Sequence, residues 1–393
     1  MQAGDKMLVW DPGTGKTYPV IMAADFCGGP HLTICPAHLR DQWAEQVERF
    51  TPWSRVRVLE ATRKPAELAG VDFAICSFEY ASTLARWKEL RRHKWASLAV
   101  DEAHALCHQD ANRTKALLGH SPESTSGLVF AAGRVWFLTG TPFTFPNEIY
   151  PIVSRVFPAA TRRRGQSGYM TPREWENAFC VTRPVEDPRT GRSFGEKIVG
   201  AKNVPELRQR LRPYLDKVRI ADVHHKPEII DTIPIRGDLR SLLKGLPPET
   251  LAEYEALTRV LEDDAIPDAE KLAALDTAGL VMAQLRHHVA VAKIAATAEI
   301  ARWEVGKGID KVLIFGWHRE PLRVLADKLQ SPLIYGGQGK RSKAQALASF
   351  IDGPSQFLLG QIGAIGTGTD GLQDVCRRSL FFEASWAYRD NKQ

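Results

Sequence analysis

The sequence contains no apolar run approaching the roughly 20 residues that carry a helix across a bilayer, so it offers no helical membrane span. The segment Met1–Trp10 lacks the basic start and long apolar block of a secretory signal. Cysteine is sparse, and the six residues Cys27, Cys35, Cys76, Cys107, Cys180 and Cys376 include no close pair. That spacing excludes a disulfide framework and a zinc ribbon, and it fits the reduced thiols of a cytoplasmic protein. Internal repeats and low-complexity tracts are absent as well. Nor is there a strong excess of one charge, since 52 Lys and Arg face 46 Asp and Glu for a formal net charge of +6. Such a balance is a mild pull toward a polyanion, and where the basic residues lie says more than their number. They gather at Arg91-Arg92-His93-Lys94, at Arg162-Arg163-Arg164, at Arg208, Arg210 and Arg212, and at Lys340, Arg341 and Lys343. Each cluster can be a solvated face as readily as a phosphate contact.

What is present is a globular composition, 44% hydrophobic and 25% charged over 393 residues, enough for two or three domains. Through residue 158, short β-rich runs alternate with helical stretches. Candidate strands are Met7–Trp10, Leu32–Cys35, Val56–Leu59, Phe73–Ser77, Leu98–Asp101 and Val135–Thr139. Their apolar residues are consecutive, as in strands buried on both faces of a parallel sheet. Leu39, Trp43, Val47 and Phe50 recur at helical spacing between charged residues, which predicts an amphipathic helix packed on that sheet. From 159 to 220 Pro, Gly and Arg become frequent and the alternation stops, so this stretch reads as a mainly helical insertion. Helical spacing over Leu251–Leu261 and Leu272–Trp303 then leads into strand signals at Val312–Phe315, Leu333–Tyr335, Phe357–Leu359 and Leu380–Glu383. The expected fold is therefore α/β, with two parallel-sheet lobes at 1–158 and 221–393 flanking the insertion.

Three motifs follow apolar strands. In Asp11-Pro12-Gly13-Thr14-Gly15-Lys16-Thr17 the glycines let the backbone curl so that several N–H groups face one phosphate at a helix N-terminus. Lys16 would reach the β- and γ-phosphates of ATP, and the Thr17 hydroxyl would hold Mg²⁺. Trp10 stands where the general pattern has its first glycine. In Asp101-Glu102-Ala103-His104, a strand closes on two carboxylates. Asp101 would hold the metal through its water shell, and Glu102 would orient and activate the attacking water. In Leu138-Thr139-Gly140-Thr141-Pro142, Thr139 and Thr141 can bond the acidic pair and pass on the state of the γ-phosphate; an ordinary strand-to-loop turn would carry the same Gly and Pro. All three lie at C-terminal strand ends, where open α/β sheets bind ligands. His104, Cys107 and His108 lie close enough in sequence to suggest zinc, but no second Cys or His group stands at ligand spacing.

The order of these motifs, together with Ile34-Cys35-Pro36 leading into Trp43 and with Ser77-Phe78-Glu79, resembles superfamily-two helicases with a DEAH motif. Within them the chain most resembles the Swi/Snf-like branch. Leu285-Arg286 ahead of Lys293, the strand after Lys311, the run from Gly363 to Gln373 and Trp386 carry that resemblance downstream. It implies two RecA-like lobes that bind ATP between them and move along double-stranded DNA without separating it. The fifth motif then supplies Gly368 and Asp370 to the nucleotide and Gly366 and Thr367 to DNA. His104, Thr139 and Thr141 couple the lobes, and Arg162, Arg163 and Arg164 are assigned to DNA phosphates. A monomer from a bacterium or a phage-infected cell is expected. The family's adenine-recognition motif and its last motif, with an arginine finger, have no counterpart in the sequence, which reads as a motor clipped at both ends with little DNA-stimulated hydrolysis of its own. Two other readings stay open: a strand-separating DNA or RNA helicase, and a regulator that binds ATP and DNA without turnover.

Overall fold

Strands built from consecutive apolar residues need cover on both faces, and the computed structural model supplies it. It describes residues 4–60, 67–140, 143–165, 167–186, 193–223, 233, 245–263, 265–267, 270–271, 274, 278–365 and 371–384. The chain divides into two compact units, Met1–Glu228 and Ile229–Gln393.

The strands of the first unit are β1 (Lys6–Val9), β2 (His31–Cys35), β3 (Val56–Val58), β4 (Phe73–Ser77), β5 (Ser97–Val100), β6 (Val135–Thr139), β7 (Cys180–Glu186), β8 (Ser193–Ala201) and β9 (Leu215–Asp216). Seven of them form one sheet in the order β3-β4-β2-β5-β6-β1-β9, with every pairing parallel. Every residue of β2, β4, β5 and β6 is buried. Side chains alternate between two cores. Leu32, Ile34, Ala74, Cys76, Leu98, Val100 and Phe137 enter one, and Cys35, Phe73, Ile75, Ala99, Trp136 and Leu138 the other. The helix Arg40–Phe50 covers the second core with buried Trp43 and Val47, as its spacing predicts.

The stretch from 159 to 220 differs from the helical insertion expected of it. It carries two short helices, Pro172–Phe179 and Val204–Leu211, but its longest feature is the antiparallel hairpin β7–β8. Val, Thr, Ile and Phe on those strands favour extended backbone, while Pro184 and Gly195 interrupt the pattern that would have announced it. The stretch also packs into the first core through Trp175 and Phe179, with Trp175 Nε1 donating to Pro146 O at 2.8 Å. Its last strand, β9, pairs with β1 and completes the first sheet.

The second unit holds β10 (Val312–Gly316), β11 (Leu333–Ile334), β12 (Phe357–Gln361) and β13 (Arg378–Phe381), all parallel in the order β11-β12-β10-β13. Ala290, Ala298 and Ala301 of the long helix Gly279–Gly306 pack on one face and Phe350 of the helix Lys340–Ile351 on the other. Among the described residues no helix is long and apolar enough to cross a membrane.

Candidate nucleotide site

β5, β6 and β1 are neighbours in the first sheet, so the three motifs that follow them are brought to one edge. After β1 the chain turns through Gly13 and Gly15, both at positive φ (77° and 78°). Only glycine adopts such backbone without strain. The helix Thr17–Cys27 starts directly behind the turn. Thr14 Oγ1 donates to Asp11 O at 2.7 Å. Lys16 Nζ folds back onto the loop and donates to Trp10 O at 3.0 Å and to Asp11 O at 3.3 Å. Burial lowers the pKa of this amine, while Glu102, Asp101 and Asp11 pull the other way.

Asp101 follows β5 and is buried. Its backbone N–H donates to Ile34 O at 2.8 Å, which ties the end of β5 to β2. Its carboxylate accepts two N–H groups: Trp43 Nε1 at 2.8 Å on Oδ2, and the Glu102 backbone at 2.9 Å on Oδ1. Burial and then the neighbouring Glu102 push its pKa up to about 6, against both hydrogen bonds and Lys16. Glu102 stands in left-handed backbone (φ 49°, ψ 51°), a conformation that costs a residue with a side chain about 1–3 kcal/mol and gathers at functional sites.

His104 joins two motifs. Its Nδ1 lies 3.2 Å from Glu102 Oε2 and 3.4 Å from Thr139 Oγ1. Thr139 is fully buried at the end of β6. The next residue closes the arrangement, because a Cβ on Gly140 would stand 3.1 Å from Pro12 Cγ and 3.2 Å from Lys16 Nζ. The structure thus unites Gly13, Thr14, Gly15, Lys16, Thr17, Asp101, Glu102, His104 and Thr139. Thr141, Gly366, Thr367, Gly368 and Asp370 lie outside the described residues. The arginine run is partly engaged: Arg163 pairs with Glu174 at 2.9 Å and Arg164 with Glu206 at 3.4 Å. Arg162 and Arg164 remain exposed.

The donors present suit a hard cation. Asp101 offers carboxylate oxygens and Thr17 a hydroxyl, and no group of three or more His, Cys, Asp or Glu able to hold a metal occurs among the described residues. One carboxylate completed by phosphate oxygens and water is how Mg²⁺ is commonly held.

The profile of the SNF2-related domain matches residues 3–226, which contain every residue of this site. The chain belongs to the SNF2-related family. Among similar proteins, the helicase SWR1 of Kluyveromyces lactis is 26% identical over 232 residues, which cover 55% of this chain and 14% of that protein. The DNA annealing helicase and endonuclease ZRANB3 of Mus musculus is 24% identical over 336 residues, 82% of this chain and 28% of that protein. The chain therefore spans a minor part of the length of these relatives. A solved structure, the Sulfolobus solfataricus SWI2/SNF2 ATPase core in complex with dsDNA, is 19% identical with a TM-score of 0.45 and covers 97% of this chain and 78% of that one.

Two parts of this SNF2-related site escape sequence reasoning. Trp43 helps carry the family resemblance and reads as a core residue of an amphipathic helix, and nothing in its spacing announces a bond to Asp101. The other is the strap from Tyr214 to Val223. Tyr214 O accepts Met7 N–H at 2.9 Å, and Val218 O accepts Asp11 N–H at 3.0 Å. Ile220 N–H in turn donates to Asp11 Oδ2 at 3.1 Å. Only the short apolar run around Leu215 could have hinted at it.

Proposed function

We propose that this chain is the motor core of an ATP-driven translocase, acting as a monomer on double-stranded DNA without separating the strands. What carries the reading is the meeting of Lys16, Asp101, Glu102 and Thr139 at neighbouring strand ends in a chain of the SNF2-related family. The names of its relatives, a helicase and a DNA annealing helicase, support it. In this reading the N–H groups of Gly13–Thr17 and the Lys16 amine bind the β- and γ-phosphates. Lys16 exchanges the loop carbonyls of Trp10 and Asp11 for charged acceptors, which make stronger hydrogen bonds. Glu102 orients the attacking water and takes its proton. His104, within reach of both Glu102 and Thr139, passes the state of the acidic pair to the third motif. Magnesium, when bound by Asp101 and Thr17, neutralises charge on the phosphate oxygens. Arg162 and Arg164 contact DNA phosphates, joined by Gly366 and Thr367, while Gly368 and Asp370 attend the nucleotide.

The test is ATP hydrolysis with duplex DNA, single-stranded DNA and RNA in parallel, followed by displacement of a third strand from a triplex. Duplex stimulation with displacement of the third strand and an intact duplex is expected. Stronger stimulation by single strands or RNA would make it a strand-separating helicase. Nucleotide binding without turnover would make it a regulator.

A further inference from the structure

We infer that Trp43 is a positioning residue for Asp101, fixing the carboxylate in the orientation that would hold a magnesium ion; this rests on the ATPase reading of the site. Trp43 is 3% exposed and comes to Asp101 from the helix behind β2, the strand that pairs with β5. Its indole N–H reaches Oδ2 at 2.8 Å while the Glu102 N–H holds Oδ1 at 2.9 Å. A carboxylate oxygen has two lone pairs, so one donor on each oxygen pins the carboxyl plane at both ends and leaves acceptor capacity on each. Rotation about the Cβ–Cγ bond would break both contacts at a carboxylate that is itself buried. Phenylalanine would keep an aromatic ring at this buried position, though a smaller one, and leave Oδ2 without this donor.

The experiment uses the full chain with Trp43→Phe, and a second variant in which 3-benzothienylalanine replaces Trp43 by amber suppression. The second keeps the shape of the indole and loses only the N–H. A fluorescent ATP analogue is titrated with magnesium and in EDTA, and melting temperatures are recorded. Both variants should bind the analogue in EDTA as the wild type does, and the affinity gained on adding magnesium should fall by about tenfold. A magnesium gain that survives in both variants overturns the inference alone. An equal loss with and without magnesium, or failure of the isosteric variant to fold, makes Trp43 a packing residue and also overturns it. If the wild type gains nothing from magnesium, the ATPase reading and the inference fall together.

Discussion

At the scale of the residue, the site separates binding from chemistry, and two substitutions should expose that. Lys16 faces the loop carbonyls rather than a core, so Lys16→Ala should fold normally, lose most nucleotide affinity and abolish hydrolysis. Glu102→Gln keeps shape and backbone but cannot take a proton. It should bind ATP with near wild-type affinity and hydrolyse it slower by about 10²–10⁴. Titration of a fluorescent nucleotide beside a phosphate-release assay checks both. The meeting of Lys16, Asp101, Glu102 and Thr139 was legible because each belongs to a motif at the end of an apolar strand of one parallel sheet. Trp43 was not. A hydrogen bond from an indole leaves no mark on helical periodicity, and the strained backbone of Glu102 leaves none on the sequence at all.

Elements show where closeness sets limits. The end of β6 lies against the phosphate loop at Gly140, where an added methyl would stand 3.2 Å from Lys16 Nζ. Gly140→Ala should therefore weaken nucleotide binding more than it lowers the melting temperature, as paired binding and thermal measurements would show. In β2, His31 is buried beside Ser97, with Nδ1 2.8 Å from Oγ, and burial depresses its pKa to about 4 against the pull of Asp25 and Asp72. A depressed pKa means that the folded state favours neutral imidazole. That stability is complete above the unfolded value near 6.5 and is lost as pH falls toward 4, on the order of 3 kcal/mol at most. Thermal melts of the wild type should fall over that window, and His31→Phe, which keeps the ring against Phe73, should show a shallower slope. The expected strands β2, β4, β5 and β6 were legible to within a residue because burial on both faces writes an unbroken apolar run. β7 and β8 pair with each other outside the main sheet and carry charges, a proline and glycines, so their alternation was diluted below recognition. β9 is two residues long and exists through its pairing with β1.

For the whole molecule, a net charge of +6 makes the salt response the most direct reading of the partner. Affinity for duplex DNA should fall with salt on a log-log slope of roughly 0.9 per phosphate neutralised, with little dependence on sequence. Replacing Arg162 and Arg164 together by alanine should flatten that slope by about one to two, measured by fluorescence anisotropy at several salt concentrations. A strongly sequence-specific, salt-insensitive complex would contradict the motor reading.

The strap from Tyr214 to Val223 gives the first unit a mechanical property. The chain leaving that unit is sewn by Val218 and Ile220 to Asp11, the residue whose carbonyl also accepts from Lys16. Tension applied beyond Val223 is thus felt first by the loop that would hold the phosphates. Nucleotide affinity should then depend on force, with a pull on this exit segment weakening the hold of the loop. Held in optical tweezers between residue 4 and residue 228, the first unit should release nucleotide faster as the load rises, before its sheet comes apart.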